Sequence, residues 1–306
     1  MVMDLPWLTP VIGDFSEQLK SQHIGHAYLV GVHNGYGGEI LSLALAKAAL
    51  CQLVTSQGAC GFCKACQLVE ANNHPDFYHI VADGNQIKVD QVRELCRKLT
   101  STSQQGGRRV AVISNCEKLN QASANALLKT LEEPGNETLL LLQSDTPSRL
   151  MATISSRCQR IHFQAPTREE IKAWLSLVAG VKSDVTWCLP VMGGPLELAK
   201  ALEGDRYAAL LQLRKDWSQS LSSGHLCANL ININEKQVSD ALKVLYLLLR
   251  QKLVKQTELD ALLRVRITEF SAKVMATYHR LLLMPNVNYL ALFQSFILEY
   301  NEMGKK

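Results

Sequence analysis

The stretch HAYLVGVHNGYGGEILSLALA, residues 26–46, joins a short apolar run to a helical sequence through a turn rich in glycine. This order of strand, glycine turn and helix is the context of a phosphate-binding loop. In such a loop, backbone N–H groups wrap the phosphates, a Lys reaches the terminal phosphates, and the next Ser or Thr holds magnesium. An ordinary glycine-rich turn between a strand and a helix is the alternative.

The residues that carry the phosphate chemistry are missing from this loop. Gly38 and Glu39 stand where the Lys and the Ser or Thr belong, and the interval from Gly31 to Gly37 is one residue too long. A carboxylate at position 39 would face a polyphosphate, and uncompensated like charge in a partly buried site costs several kcal/mol. We therefore predict a degenerate loop, marked by Gly31, Gly35, Gly37, Gly38 and Glu39, with no bound nucleotide.

Short apolar runs recur along the first half of the chain and alternate with helical patterns. Candidate strands are 27–30, 77–81, 110–113, 139–142 and 161–163, and candidate helices are 39–53, 89–99, 123–133 and 148–154. Alternation of this kind predicts βαβ units around a largely parallel sheet. Ligands and partners are then expected at the carboxyl ends of the strands.

Composition indicates a soluble globular chain of two or three domains. The chain has 306 residues, 47% hydrophobic and 20% charged, with a net charge of +4. Its apolar runs fall far short of the ~18 residues that span a bilayer, and no signal peptide is recognisable at the N-terminus. Nine cysteines without an export signal indicate a reducing, cytoplasmic compartment. The basic excess lies beyond residue 165 and is too mild to indicate nucleic-acid binding.

The sequence pattern changes after residue 163, where candidate strands no longer occur. Residues 165–167 are typical of a hinge, a small helical unit follows to about residue 203, and only helical patterns occur beyond residue 205. We predict an α/β domain at 1–165, a helical lid at 166–204 and a helical collar for oligomerisation at 205–306. A bundle that only closes its own core is the alternative for the last part.

Four cysteines near the end of the first helical pattern form a metal-binding motif. Cys51, Cys60, Cys63 and Cys66 have the spacing C-x8-C-x2-C-x2-C, and four thiolates with no open position make a structural zinc site. Such a site contributes about 10 kcal/mol or more in small zinc modules. Free thiols, a redox switch and an iron–sulfur cluster are the alternatives.

A second motif is also degenerate. In P-loop ATPases a strand such as 109–113 ends in an Asp for magnesium and a Glu for the attacking water. Ser114 and Asn115 stand at those positions, and Glu117 lies two residues too far along the chain. Both observations indicate that the site no longer hydrolyses ATP.

Three further stretches carry a family resemblance. The sequence ANALLKTLEEP at 124–134, the apolar run 139–142 and Ser156-Arg157-Cys158 together resemble the clamp-loader branch of the AAA+ ATPases. Pro6-Trp7-Leu8, the defective loop and the cysteine motif narrow the resemblance to the delta-prime subunits of bacterial DNA polymerase III. The resemblance is specific over residues 5–165 and covers the helical remainder by architecture only.

This resemblance implies a fold that is α/β and then all-α. Its parts are an AAA+ P-loop-type parallel sheet domain with a zinc knuckle, a small helical lid and a C-terminal helical collar. In the family the arginine of the Ser-Arg-Cys motif acts in trans on ATP held by a neighbouring subunit. Arg157 would thus be an arginine finger, with Ser156 and Cys158 as motif supports. An internal salt bridge of Arg157 and a catalytic thiol at Cys158 are the alternatives.

The resemblance implies a non-hydrolysing subunit of a clamp loader, which places the sliding clamp on primed DNA during replication. Its partners would be the motor ATPase subunits and the delta subunit in a hetero-oligomeric ring, with clamp and DNA reached through the complex and no membrane. The isolated chain is expected to lack catalytic activity, although the holoenzyme is a DNA polymerase. Leu196 replaces the arginine that motor subunits carry in the lid, and Ser144 matches the polar residue that reports on the γ-phosphate.

Two alternatives from other classes remain. One is an active AAA+ ATPase with an atypical P-loop, which would turn over ATP by itself. The other is a zinc-containing DNA-binding protein that works alone, whose binding would weaken steeply with salt.

Overall fold

The computed structural model describes residues 5–181, 183–255, 260–283 and 288–303. The chain divides into two compact units, Met1–Thr167 and Arg168–Lys306. The first unit is an α/β unit, and the part of the second unit that the structure describes is helical throughout. The predicted fold class is therefore confirmed, while the predicted division into 1–165, 166–204 and 205–306 stays a prediction.

The first unit contains one parallel sheet of five strands. Their order is β2-β3-β4-β1-β5, so the strand before the glycine turn has neighbours on both sides. Strands β1, β3 and β4 are buried along their whole length, as expected for a parallel sheet covered on both faces. The strands are β1 Ala27–Val30, β2 Phe77–Ile80, β3 Arg109–Ile113, β4 Thr138–Gln143 and β5 Gln159–Arg160.

Helices cover this sheet, and their apolar side chains form a hydrophobic core with those of the strands. Ile87, Leu99 and Leu127 are fully buried against the sheet residues Ala111 and Leu140. Two segments, α1 and α2, pack on each other, and α2 also packs on β3 and β4. The helices of the unit are α1 Thr9–Lys20, α2 Gly38–Leu50, α3 Lys64–Glu70, α4 Val89–Thr100, α5 Gln121–Glu132 and α6 Ala152–Ser155.

Two predicted elements of this unit are wrong in position. The last strand is predicted at 161–163 but is β5, Gln159–Arg160, whose residues lie opposite Tyr28 and Leu29 of β1. The pairing ends at Ile161, which donates its N–H to the carbonyl of Leu29 at 3.0 Å. Gln159 and Arg160 are both exposed on the edge of the sheet, so an apolar run does not mark them. The helix expected at 148–154 is interrupted, since the extended backbone of Leu150 and Met151 separates a 3₁₀ turn at Pro147–Arg149 from α6.

The second unit is held together by aromatic side chains between helices. The indole of Trp217 on α10 is fully buried, and its N–H donates to the carbonyl of Ala241 on α12 at 2.9 Å. It also packs edge-on against Phe293 on α14, with 5.0 Å between the ring centroids. Phe270 on α13 packs edge-on against Phe296 at 5.6 Å. The helices are α7 Arg168–Ala179, α8 Leu189–Met192, α9 Pro195–Glu203, α10 Arg206–Ser223, α11 Ala228–Ile231, α12 Glu235–Lys255, α13 Ala261–Leu283 and α14 Tyr289–Met303.

Among the described residues, no helix has both the length and the apolar character that crossing a bilayer requires.

Substitution of Trp217 tests whether the packing of three helices in the second unit depends on this one side chain. We expect Trp217→Ala to lower the free energy of unfolding of this unit by about 3–5 kcal/mol, because a buried indole is replaced by a cavity. Trp217→Phe, which keeps an aromatic ring against Phe293, should cost clearly less. Urea unfolding followed by circular dichroism measures both changes. An alanine variant within about 1 kcal/mol of the parent would contradict this role.

Candidate functional site

The glycine turn lies at the carboxyl edge of the sheet, directly after β1. Residues Asn34–Tyr36 form one 3₁₀ turn, Gly37 takes a left-handed conformation with φ of 92°, and α2 begins at Gly38. A Cβ on Gly38 would lie 1.8 Å from the carbonyl oxygen of Val32. No side chain fits at that position without moving the backbone. The lysine of a working loop is therefore excluded here by geometry as well as by sequence.

The backbone N–H groups of the turn are already bonded within the protein. The N–H of Asn34 donates to Oδ1 of Asp145 at 2.8 Å, and the N–H of Glu39 donates to Oδ1 of Asn34 at 2.9 Å. The N–H of Gly35 donates to Nδ1 of His33 at 3.0 Å. Carbonyl oxygens of His33 and Asn34 accept the remaining N–H groups, which belong to Tyr36, Gly37 and Gly38. A phosphate would have to displace these bonds rather than fill open donors.

Asp145 brings a fixed negative charge to this turn. Its Oδ1 also accepts from Nε2 of Gln143 at 2.8 Å, and its Oδ2 lies 3.8 Å from Nε2 of His33. The fully buried Gln143 donates to the carbonyl of Val32 at 3.0 Å and accepts from the N–H of Asn115 at 2.8 Å. One amide side chain thus connects the ends of β3 and β4 to the glycine turn. The protein's own carboxylate lies against a backbone donor of the kind that a nucleotide phosphate would use.

The end of β3 forms a hydrogen-bonded network instead of a magnesium site. The Oγ of Ser114 lies 2.9 Å from Nε2 of His79, and this ring nitrogen is 3.7 Å from Oε1 of Glu39. Burial lowers the pKa of His79, although Glu39 opposes the shift. Glu117, the misplaced carboxylate, accepts from Oγ of Ser144 at 2.8 Å. Glu117 thus pairs with Ser144, and position 114 itself carries no carboxylate.

The four cysteines of the predicted motif converge. Their Sγ atoms all lie within 4.8 Å of one another, with 3.9 Å between Cys51 and Cys63 and 3.9 Å between Cys60 and Cys66. Thiolates ~2.3 Å from one tetrahedral zinc stand about 3.8 Å apart, so the cluster fits this ion. Cys51 follows α2 and Cys66 lies on α3, so a shared ion would fasten the two helices together. The cluster can hold a metal such as zinc.

The protonation of these thiols explains why a cation suits the cluster. Burial raises the pKa of Cys63, but the N–H groups of Cys66 and Gln52 and the neighbouring thiols outweigh it and bring the pKa to about 6. Burial raises the pKa of Cys66 to about 12, with Cys63 and Cys51 adding to the shift. Four thiolates without a cation would repel one another at neutral pH. A divalent ion removes this penalty and displaces the protons.

The Ser-Arg-Cys motif follows α6. Nη2 of Arg157 lies 2.6 Å from Oε1 of Glu132, and its Nη1 donates to the carbonyl of Thr153 at 2.9 Å. The side chain of Arg157 is still 37% exposed. Cys158 is buried in the core of the unit, and burial raises its pKa to about 11, so at neutral pH it is a packed thiol and not a nucleophile. Ser156 lies on the exposed side and accepts a weak bond from Nη1 of Arg157 at 3.4 Å.

Comparison with known proteins places the chain in a family. The sequence model of a family described as "DNA polymerase III, delta subunit" matches residues 8–167. The DNA polymerase III subunit delta' of Escherichia coli (strain K12) is 37% identical over 256 residues, which are 81% of this chain and 75% of that protein. The chain belongs to the delta-prime family of DNA polymerase III subunits.

Two proteins of Haemophilus influenzae extend this comparison. Its delta' subunit is 36% identical over 201 residues, covering 65% of this chain and 61% of the relative. Its DNA polymerase III subunit tau/gamma is 31% identical over 194 residues, covering 63% of this chain and 28% of the relative. This delta-prime chain is therefore also related in sequence to the tau/gamma subunit.

Several residues of this delta-prime site were not found from the sequence. Asp145 and Gln143 determine the state of the glycine turn, and Glu132 pairs with Arg157, but none of the three was singled out. A signal existed for the first two, since both are polar residues at the end of the apolar run 139–142, where βαβ folds collect ligands. Leu196, at the position where motor subunits carry an arginine, is an apolar side chain buried on α9.

The cysteine cluster predicts a metal content. We expect about one zinc per chain by elemental analysis, because the four thiols match a closed tetrahedral site. Cys63→Ser should lose the zinc and lower the melting temperature, whereas Cys96→Ser, which changes a partly buried cysteine outside the cluster, should keep the zinc. Zinc occupancy should fall as pH is lowered, because protons compete for the thiolates. A metal-free chain with an unchanged melting temperature would refute the site.

The self-bonded glycine turn predicts weak nucleotide binding. We expect the isolated chain to bind a fluorescent ATP analogue with a Kd weaker than about 1 mM, which corresponds to less than ~4 kcal/mol. Gly38→Lys should fail to improve binding and should destabilise the chain, because its Cβ would clash with Val32. Gly107→Lys, at a glycine with open space around it, is the matched control for stability. Saturable binding at micromolar concentration would contradict the prediction.

Proposed function

We propose that this delta-prime chain is a non-hydrolysing clamp-loader subunit that presents Arg157 to ATP bound by a neighbouring motor subunit. The observation that carries the proposal is the glycine turn, whose N–H groups from Asn34 to Glu39 are all bonded within the chain. A subunit whose own phosphate cradle is closed can still serve a site across a subunit boundary. The Arg157 side chain, intact and partly exposed, suits that role.

The pairing of Arg157 with Glu132 is compatible with a role in trans. The two side chains are 37% and 51% exposed, and ion pairs of this kind contribute only about 0–1 kcal/mol. A phosphoryl group carries more charge than one carboxylate and presents several oxygens to the planar guanidinium. It can therefore replace Glu132 at little cost. In the free subunit, Glu132 and the Thr153 carbonyl limit the rotamers of Arg157 and so lower the entropic cost of presenting it.

The rest of the chain would support this role inside a ring. Motor ATPase subunits and the delta subunit are the proposed partners, and the sliding clamp and primed DNA are reached through the complex. The Cys51–Cys66 cluster would hold a structural zinc between α2 and α3, and the helices beyond residue 205 would form the collar. The proposed location is the cytoplasm, where the replication machinery of a bacterium works.

Neither alternative from the sequence is favoured by an observation. An active ATPase would need open amide donors and an acid at position 114, where the chain has Ser114 bonded to His79. A DNA-binding zinc module would need a cluster of cations near the cysteines, but Lys64 is the only Lys or Arg in residues 51–66, and Lys47 on α2 pairs with Glu70.

The arginine finger is tested in the reconstituted complex. We expect Arg157→Ala to leave assembly unchanged and to lower ATP hydrolysis at the facing site by roughly 10³-fold or more, because transition-state charge loses its cation. DNA-stimulated ATPase in single-turnover conditions measures the loss. Arg160→Ala, three residues further along and also exposed, is the matched control and should hydrolyse ATP normally.

Glu132 provides an independent check on the same assignment. Glu132→Gln removes the charge that Arg157 pairs with but keeps the side-chain volume, so hydrolysis should change by no more than a few-fold. Normal ATPase of the Arg157→Ala complex would show that Arg157 is a surface ion-pair partner only.

A further inference from the structure

The helical unit contains a cleft whose lining includes no residue of the glycine turn or the cysteine cluster and does not include Arg157. Its volume is about 550 Å³, within the ~300–1,000 Å³ of ordinary ligand sites. Arg168 at the start of α7, Arg214 on α10 and Arg250 on α12 line it, together with Asp184 and Trp187. We call it the arginine cleft. None of the roles discussed above uses it.

The charges in the arginine cleft are unbalanced. Three guanidinium groups face one carboxylate, that of Asp184. The Oδ1 of Asp184 accepts from the N–H of Thr186 at 3.0 Å and from its Oγ1 at 2.6 Å. These bonds lower the pKa of Asp184, and the charges of Lys172 and Arg168 add to the shift, so this carboxylate offsets only part of the positive charge. Among the residues that the structure describes, no carboxylate lies within ion-pairing distance, 4.0 Å, of any of the three arginines. Like charges gathered in a partly enclosed space repel, and a bound anion relieves that repulsion.

Arg214 is held ready for a ligand. Its guanidinium lies 4.5 Å from the ring centroid of Trp187, and its Nη2 donates to Oε1 of Gln251 at 2.8 Å. Stacking and one hydrogen bond fix the plane of the group, while a guanidinium has five N–H donors in all. A side chain that is already ordered loses less entropy when it binds an anion.

The lining also limits the kind of anion. About half of the lining residues are apolar, including Pro190, Leu248 and Val254, and a lone phosphate would leave that half unused. A nucleobase would need a free aromatic face, but the ring of Trp187 already has Arg214 and the tilted ring of Tyr207 as neighbours. A peptide segment with carboxylates next to an apolar side chain uses both halves of the lining.

We propose that the arginine cleft binds an acidic and apolar peptide segment of another subunit. This inference rests on the proposed function, because it assumes that the chain works inside a hetero-oligomer. Arg168, Arg214 and Arg250 would pair with the carboxylates, and Pro190 and Leu248 would contact the apolar side chain. Pairs of this type in a semi-enclosed cleft contribute to specificity and to the rate of association.

Photo-crosslinking in the reconstituted complex tests the arginine cleft. Val254, on its rim and 70% exposed, is replaced by p-benzoylphenylalanine, and mass spectrometry identifies the crosslinked peptide. We expect a partner-subunit segment with at least two Asp or Glu beside an apolar residue. Arg250→Glu, an exposed change, should reduce the crosslink at least about 10-fold, since attraction becomes repulsion. The same probe at Leu177, 86% exposed on α7 and outside the lining, is the control.

The outcomes separate this inference from the proposed function. The inference would be overturned if no crosslink formed, or if Arg250→Glu left the crosslink yield unchanged. A crosslink to DNA, to this chain itself or to a segment without carboxylates would also overturn it. If the complex then still assembles and still depends on Arg157 for ATP hydrolysis, the proposed function stands. If the chain does not co-elute with the motor subunits, both are wrong.

Discussion

A hydrogen bond between two parts of the chain that are 111 residues apart determines the state of the site. It runs from the N–H of Asn34 to the carboxylate of Asp145 and brings a protein anion to a turn whose sequence resembles a phosphate-binding loop. The same carboxylate accepts a hydrogen bond from the side-chain amide of Gln143. That amide also donates to the carbonyl of Val32 and accepts from the N–H of Asn115. Because these bonds satisfy the donors of the turn, the loop keeps its shape without a nucleotide.

Architecture and charge are carried by different parts of the α/β unit. The sheet and its helices form a parallel α/β unit in which Gly38 closely approaches Val32. Under the proposed function, the remaining contribution of this unit is the guanidinium of Arg157, which follows α6 and pairs with Glu132. A weak surface ion pair is compatible with that proposal, since a strong buried pair would retain the side chain.

The cysteine cluster and the helical unit rest on different forces. Four thiols within 4.8 Å of one another can bind a cation when they lose their protons, because a divalent ion offsets the repulsion between thiolates. In the helical unit, buried rings such as Trp217 and Phe293 join helices by packing and one indole hydrogen bond. The arginine cleft contrasts with this core, since three arginines are collected there around one carboxylate, that of Asp184.

The sequence alone determined the strand positions 27–30 and 139–142, the loss of Lys and acid at Gly38 and Ser114, and the cysteine motif. Each of these follows from neighbours in sequence, because periodicity and short spacings are local properties. Tertiary structure decided that Asp145 closes the turn, that Glu132 holds Arg157, and that β5 is an exposed pair of residues. These depend on contacts between distant segments, and no local pattern records which side chains the fold of a sheet brings together.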